Sequence, residues 1–174
     1  ASAACGNNFD NLFVPFRAVA SDVFNKNSIV LSKGTLGDAV RASMSFPFVF
    51  RPIMIDSIIA YDGGIYDNFP VDVMVNDFHP DFIIGSLVAV APGEHKVEIP
   101  DEFDLMGQVT SMIIQKSDYS LDPSLGVKVE FDLTSVGLLD FHLIDEVSAL
   151  GYRNTMHQKS SFYEKALYEM GMAH

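Results

Sequence analysis

The sequence predicts an α/β protein with a mainly parallel sheet. Strand-type and helix-type segments alternate along most of its 174 residues, the pattern of a sheet flanked by helices. Phe82-Ile83-Ile84-Gly85-Ser86-Leu87-Val88-Ala89-Val90 is a continuous apolar run with a β-branched bias, as expected of a strand buried on both faces of a parallel sheet. A shorter apolar run, Ser57-Ile58-Ile59-Ala60-Tyr61, ends on Asp62, Gly63 and Gly64, and Pro70 then opens a helix. The resulting order is β-β-α-β-α-β-α-β-α, and right-handed crossovers between successive strands favour parallel pairing.

Each element has its own signal. Residues 12–20 carry Leu12, Phe13, Val14, Phe16 and Val19 and read as a strand. Asn25-Lys26-Asn27 is a turn, so Ser28-Ile29-Val30-Leu31 returns as the second strand of a hairpin. Thr35 with Asp38 three residues later is a capping box that opens a helix over 36–45, and Pro47 ends it. Residues 46–56, broken by Pro47 and Pro52, read as an apolar loop. The next strand covers 57–61. A helix from Pro70 stops near Phe78, before His79-Pro80. Residues 101–117 place Phe103, Met106, Val109, Met112 and Ile113 at helical spacing, 126–133 alternate as a strand, and 143–170 are helical with a break expected at Gly151. No repeat or internal domain boundary interrupts this order.

Composition excludes some functions. The net charge is −12, which repels nucleic acid, and no basic stripe offsets it. The charge is uneven. Residues 1–60 hold five Lys or Arg against four Asp or Glu, whereas 61–174 hold six against nineteen. The acidic part reads as a solvated face. No run of 18 apolar residues occurs, so no membrane-spanning helix is expected. One cysteine, Cys5, leaves no intrachain disulfide and no cysteine-based zinc site. The five histidines lack paired ligand spacing, and Asp62, Asp67, Asn68 and Asp72 fit no calcium loop. No metal and no cofactor are expected.

Taken alone, Asp62-Gly63 is a turn. Its context says more. Gly34-Thr35-Leu36-Gly37-Asp38-Ala39-Val40-Arg41-Ala42-Ser43-Met44-Ser45-Phe46-Pro47 runs into Phe48-Val49-Phe50-Arg51-Pro52, then Asp62-Gly63-Gly64, then Asp67-Asn68-Phe69-Pro70. These segments resemble the C-terminal part of the catalytic domain of the patatin-like phospholipases, a family of lipid acyl hydrolases. Pro15 to Asp22, Asp81 to Gly85 and Asp145 to Tyr152 extend the likeness over most of the chain.

The resemblance implies a three-layer α/β/α sandwich, with residues 1–174 forming only its C-terminal part. It implies a Ser-Asp dyad in which Asp62 is the catalytic carboxylate. Gly63 and Gly64 form the motif turn that aims it. The family's Gly-rich oxyanion loop and Gly-x-Ser-x-Gly nucleophile turn precede this region, and neither pattern occurs in the chain. The expected partners are therefore a lipid or other ester substrate and the missing N-terminal part of the same domain. The chain alone is expected to be inactive.

A carboxylate is a feeble base at neutral pH unless burial raises its pKa. Tyr61, Ile65 and Phe69 are the candidates for apolar walls around Asp62. The 46–55 loop reads as core packing, with an acyl-chain pocket as the other use for it. Arg41 and Arg51 read as ion-pair partners of nearby acids, with a lipid phosphate as the alternative. The rival functional class is a non-catalytic assembly or binding module that keeps the fold. A cut sheet would also expose an apolar face and an open edge, with Ile58-Ile59 and residues 46–50 as contact surfaces, so a homodimer is expected.

Overall fold

In a computed structural model, the described residues are 6–88, 109, 118–131, 133, 136, 137 and 140–169, less the side chains of 161, 162, 165, 166 and 169. They fall into two compact units, one containing residues up to Pro70 and the other Val71 onward together with the segment after Tyr119.

The first unit is built on a four-stranded antiparallel sheet. Its strands are β1 (Ala18–Asp22), β2 (Asn27–Leu31), β3 (Ile53–Ile55) and β4 (Ile58–Asp62), in the order β2-β1-β4-β3. The expectation of a mainly parallel sheet is thus overturned, and short connections are the reason. Asp56 and Ser57 join β3 to β4 with positive φ at both residues, the backbone of a two-residue primed turn that forces an antiparallel hairpin. Between β1 and β2 the turn is closed by Asp22. Its carboxylate accepts from the backbone N–H of Phe24 and Asn25, each at 3.0 Å, and from Asn25 Nδ2 at 2.6 Å. The Asn25 hydrogen bonds hold this buried carboxyl below its ordinary range against a smaller effect of desolvation.

Two boundaries shift from those the sequence suggests. The first strand starts at Ala18. Residues 12–16 do not extend it, and Phe13 is fully exposed at 102%. The stretch read wholly as loop, 46–56, contains β3. As a result β4 is an interior strand, and the open edge expected at Ile58-Ile59 is paired with Met54 and Ile55.

Helix α1 (Leu36–Ser43) packs its Ala39 and Ala42 onto one face of this sheet. Ala20, Ala42 and Ala60 are fully buried and meet Ile29, Leu31, Ile53 and Ile55. Three alanines at the crossing let the helix lie close, and the isoleucines fill its flanks. The capping box does not form. Thr35 is the N-cap but makes no side-chain cap. Asn7 replaces it: its Oδ1 accepts from Gly37 N at 2.6 Å, and its carbonyl accepts from Leu36 N at 3.0 Å.

The second unit holds α2 (Val71–Phe78), the strands β5 (Ile83–Leu87) and β6 (Gly126–Glu130), and α3 (Ile144–Glu169), which a 3-10 turn at Phe141–Leu143 precedes. Here the parallel expectation holds, since β5 and β6 pair in parallel. They are not buried on both faces: β5 alternates buried and exposed, and Ile84 is 71% exposed. Gly126 is fixed by this pairing, because a Cβ there would collide with the Ile83 carbonyl oxygen. Gly151 does not interrupt α3. The helix expected over 101–117 lies, but for Val109, outside the described residues. Together these elements give a mixed α/β chain, with three α-helices, a four-stranded antiparallel sheet and a parallel pair among the described residues.

Because the cap of α1 is supplied from Asn7, Asn7→Ala should lower stability by about 0.5–2 kcal/mol, and Thr35→Ala by less. Chemical denaturation of both variants measures this.

Candidate functional site

Asp62 is the last residue of β4 and the N-cap of a 3-10 turn at Gly63–Ile65. Three contacts set its position. Its backbone N–H donates to the Ser45 carbonyl at 3.1 Å, just past the C-terminus of α1. It lies opposite Ala20 in the β1–β4 ladder. Its Oδ1 accepts from Gly64 N at 2.9 Å. The next carbonyl, of Gly63, accepts from the buried Ser21 hydroxyl at 3.3 Å. Partial burial pushes the Asp62 carboxyl above its ordinary range, and the Gly64 N–H opposes that rise.

The two glycines are needed for space. Neither has a positive φ. A Cβ on Gly63 would strike the Val19 carbonyl oxygen and lie 2.8 Å from its carbon. On Gly64 it would lie 2.8 Å from Asn68 Oδ1 and 3.2 Å from Asp62 Oδ1. The first obstacle is backbone and cannot yield, whereas the second is mostly one movable side chain.

A cleft of about 400 Å³ lies over this turn, with Asp62, Gly63, Gly64, Asp67, Asn68 and Pro70 on one side and Phe16, Arg17, Ala18, Val19, Val40, Ser43 and Met44 on the other. The structure therefore brings Asp62, Gly63 and Gly64 together at one open cavity. It does not bring Tyr61 and Ile65 to that cavity. They line a second cleft with the 47–52 loop. Alternation along β4 is the cause, since neighbouring side chains leave a strand on opposite faces. Ile65 and Phe69 are buried. The partial desolvation of Asp62 thus comes without Tyr61 and Ile65 beside it in the cleft.

The 46–50 loop is not core packing: Phe48 is 58% exposed, and Val49 and Phe50 are also exposed. Among the described residues Arg41 meets no acid either. Its Nη1 donates to Ser45 Oγ at 2.6 Å and its Nη2 to the Arg51 carbonyl at 2.9 Å, while the guanidinium stacks 5.6 Å above the Phe50 ring. Ser45 Oγ donates in turn to the Arg41 carbonyl at 2.7 Å. This brace was legible only as an i, i+4 spacing of Arg and Ser on one helix. Its role required knowing that the chain returns past Pro47. Ser45, with 0% exposure and a filled set of hydrogen bonds, is a structural hydroxyl.

No histidine among the described residues lines the cavity. His79 Nδ1 meets the Val75 carbonyl at 2.6 Å, and His142 and His157 are exposed. Among the described residues no group of three or more His, Cys, Asp or Glu is placed to hold a metal ion. No helix among them is long and apolar enough to cross a membrane.

Asp62 is thus a partly desolvated carboxylate at a strand end, open to a cavity. Residues 4–75 match the patatin-like phospholipase family, a span that contains α1, β4, Asp62 and both glycines. An uncharacterized NTE family protein of Mycobacterium tuberculosis is 37% identical over 62 residues, covering 36% of this chain and 17% of that protein. A second NTE family protein of the same organism is 23% identical over 158 residues, covering 78% of this chain and 27% of that protein. Counterparts in Mycobacterium bovis match equally. The chain thus spans about a sixth to just over a quarter of the length of the curated relatives it matches.

Two expectations follow from the geometry. Gly63→Ala should destabilise by about 1–3 kcal/mol through backbone overpacking, and Gly64→Ala by clearly less; urea midpoints of the two variants report the difference. Asp62 carries a raised pKa, so its charge weakens the fold. That penalty is absent below the unfolded-state pKa and is complete once pH passes the folded one. Asp62→Asn should therefore raise Tm slightly at neutral pH, and the gain should vanish on acidification. Melting curves across the acid range test the sign.

Proposed function

We propose that this chain carries the base-bearing part of a serine acyl hydrolase that cleaves carboxylic esters, with a lipid as the substrate class. The observation that carries the reading is Asp62 itself: a carboxylate with a raised pKa at the mouth of a cleft, inside the segment that matches the patatin-like phospholipases. A serine hydroxyl attacks an ester only when a base takes its proton. In this reading Asp62 is that base. It accepts the proton of the nucleophile during acylation and returns it to the leaving alkoxide. It then draws a proton from water so that the acyl-enzyme is hydrolysed. Desolvation makes the carboxylate a better acceptor than a free aspartate. Gly64 N–H, already on Oδ1, leaves Oδ2 for the hydroxyl.

The nucleophile and the oxyanion donors lie, in this reading, in sequence outside these 174 residues, because no Gly-x-Ser-x-Gly is present in them. The same observation favours a second reading, a binding module that keeps the fold without the chemistry. The two diverge on one experiment. In the longer protein, Asp62→Asn should lower kcat by at least about 10²–10⁴-fold, the usual contribution of a general base, with an unchanged circular dichroism spectrum. Wild-type kcat/KM should fall on the acid side, at a pH above the ordinary aspartate value of about 3.9. A folded Asp62→Asn enzyme with near wild-type turnover excludes the base assignment. The 174-residue chain alone should neither turn over a p-nitrophenyl ester nor label with a fluorophosphonate.

A further inference from the structure

The second cleft is a cavity of about 720 Å³ on the side of β4 that Tyr61 faces, within the roughly 300–1,000 Å³ range of small-molecule sites. Its walls are mostly apolar, with Pro47, Phe48, Val49, Phe50 and Ile65 prominent among them. Arg51 lines it and is exposed. Among the described residues no aspartate or glutamate lines it, although the whole chain carries a net charge of −12. Among the described residues nothing accepts a hydrogen bond from the Arg51 guanidinium; only its main-chain carbonyl is engaged, by Arg41.

The rim is also held in place. Phe48 has a positive φ of 69°, a conformation that a bulky residue adopts only when its surroundings enforce it. The turn is closed by Val49 N and Phe50 N donating to the Phe46 carbonyl at 3.3 and 3.0 Å. Arg41 clamps the far end through the Arg51 carbonyl and the Phe50 ring. Exposed aromatic side chains on a braced, strained loop form a preorganised apolar wall. Ordering such side chains on binding then costs little.

We infer that this cleft binds a single-chain anionic amphiphile, a long-chain carboxylate, with the alkyl chain along the 47–50 wall and the carboxylate on Arg51. An apolar wall alone would take any alkyl chain. The lone cation in an acid-free cleft selects the anionic head group, since a guanidinium and a carboxylate form paired, charge-assisted hydrogen bonds. The site is separate from the Asp62 cavity, shares none of its lining residues and does not depend on the hydrolase reading.

Calorimetry and amide NMR of the 174-residue chain with decanoate, decanol and decyltrimethylammonium, all below micelle formation, test it. Decanoate should bind saturably and shift the amides of Phe48, Val49 and Tyr61. The other two head groups should bind at least about tenfold more weakly. Arg51→Met should weaken decanoate by about tenfold or more and erase the preference; it keeps the main-chain carbonyl that Arg41 needs. Phe48→Ala should weaken decanoate as well, and Asp62→Asn should leave its binding unchanged. No saturable decanoate binding, equal affinity for the three head groups, or shifts centred on Gly64 and lost in Asp62→Asn would overturn the inference. The last variant also separates this result from the fate of Asp62 as a base.

Discussion

The approach of Gly63 to the main chain of Val19 is the constraint on which the site depends. Two backbones meet there with no room for a single methyl group. The contact turns the chain sharply as β4 ends, and Asp62 is the residue on the bend. Once the backbone is fixed by Ala20 on one side and the Ser45 carbonyl on the other, the carboxylate has few places to go. Gly64 N–H takes one oxygen, and the cleft receives the rest. The glycines owe their places to volume rather than to left-handed backbone, so their replacement costs are set by what stands in front of each Cβ.

Behind this turn stands a polar brace inside an otherwise alanine-rich helix contact. Ser45 is completely buried, yet its hydroxyl and carbonyl are both used, by Arg41 and by the Asp62 amide. Buried polar groups stabilise only when every member is satisfied. Here satisfaction links three segments that are distant in sequence: the end of α1, the start of β3 and the end of β4. The Arg41 guanidinium works as a tie. It holds a hydroxyl, a carbonyl and a ring face at once, a geometry that its planar fork suits better than an ammonium would.

What could be read from the sequence was what local residues decide. The glycine turn and the strand before it needed only apolar spacing and turn chemistry, whereas Asp62 as a candidate came from the resemblance of the surrounding segments to the patatin-like phospholipases. The long final helix was expected over 143–170, and the structure has it at Ile144–Glu169. What escaped depended on partners far along the chain. Asn7 caps a helix that starts 29 residues later, and no local pattern marks it. The strand β3 is three residues long between Pro52 and a primed turn made of Asp56 and Ser57, not the Asn-Gly pair that usually signals one. Missing that hairpin left β4 on an edge and made the whole sheet look parallel. The one parallel pair, β5 with β6, joins the two segments whose apolar character was plain, but pairing direction was inferred from order alone.

Strand alternation then divides the chemistry of the first unit. Asp62 and Tyr61 are neighbours, yet they open on different cavities, because a one-residue step reverses the side of a sheet. On the helix side the cavity is the smaller one and contains Asp62, whose pKa burial has raised. On the other side it is larger, is walled by the 47–50 loop and has Arg51 at its edge. Each takes one residue of β4, Asp62 or Tyr61, and the Arg41 tie that positions the carbonyl behind Asp62 also holds the wall of the second cleft. A substitution that cuts this tie therefore acts on both cavities at once, whereas one at Asp62 or at the Arg51 side chain acts on one alone.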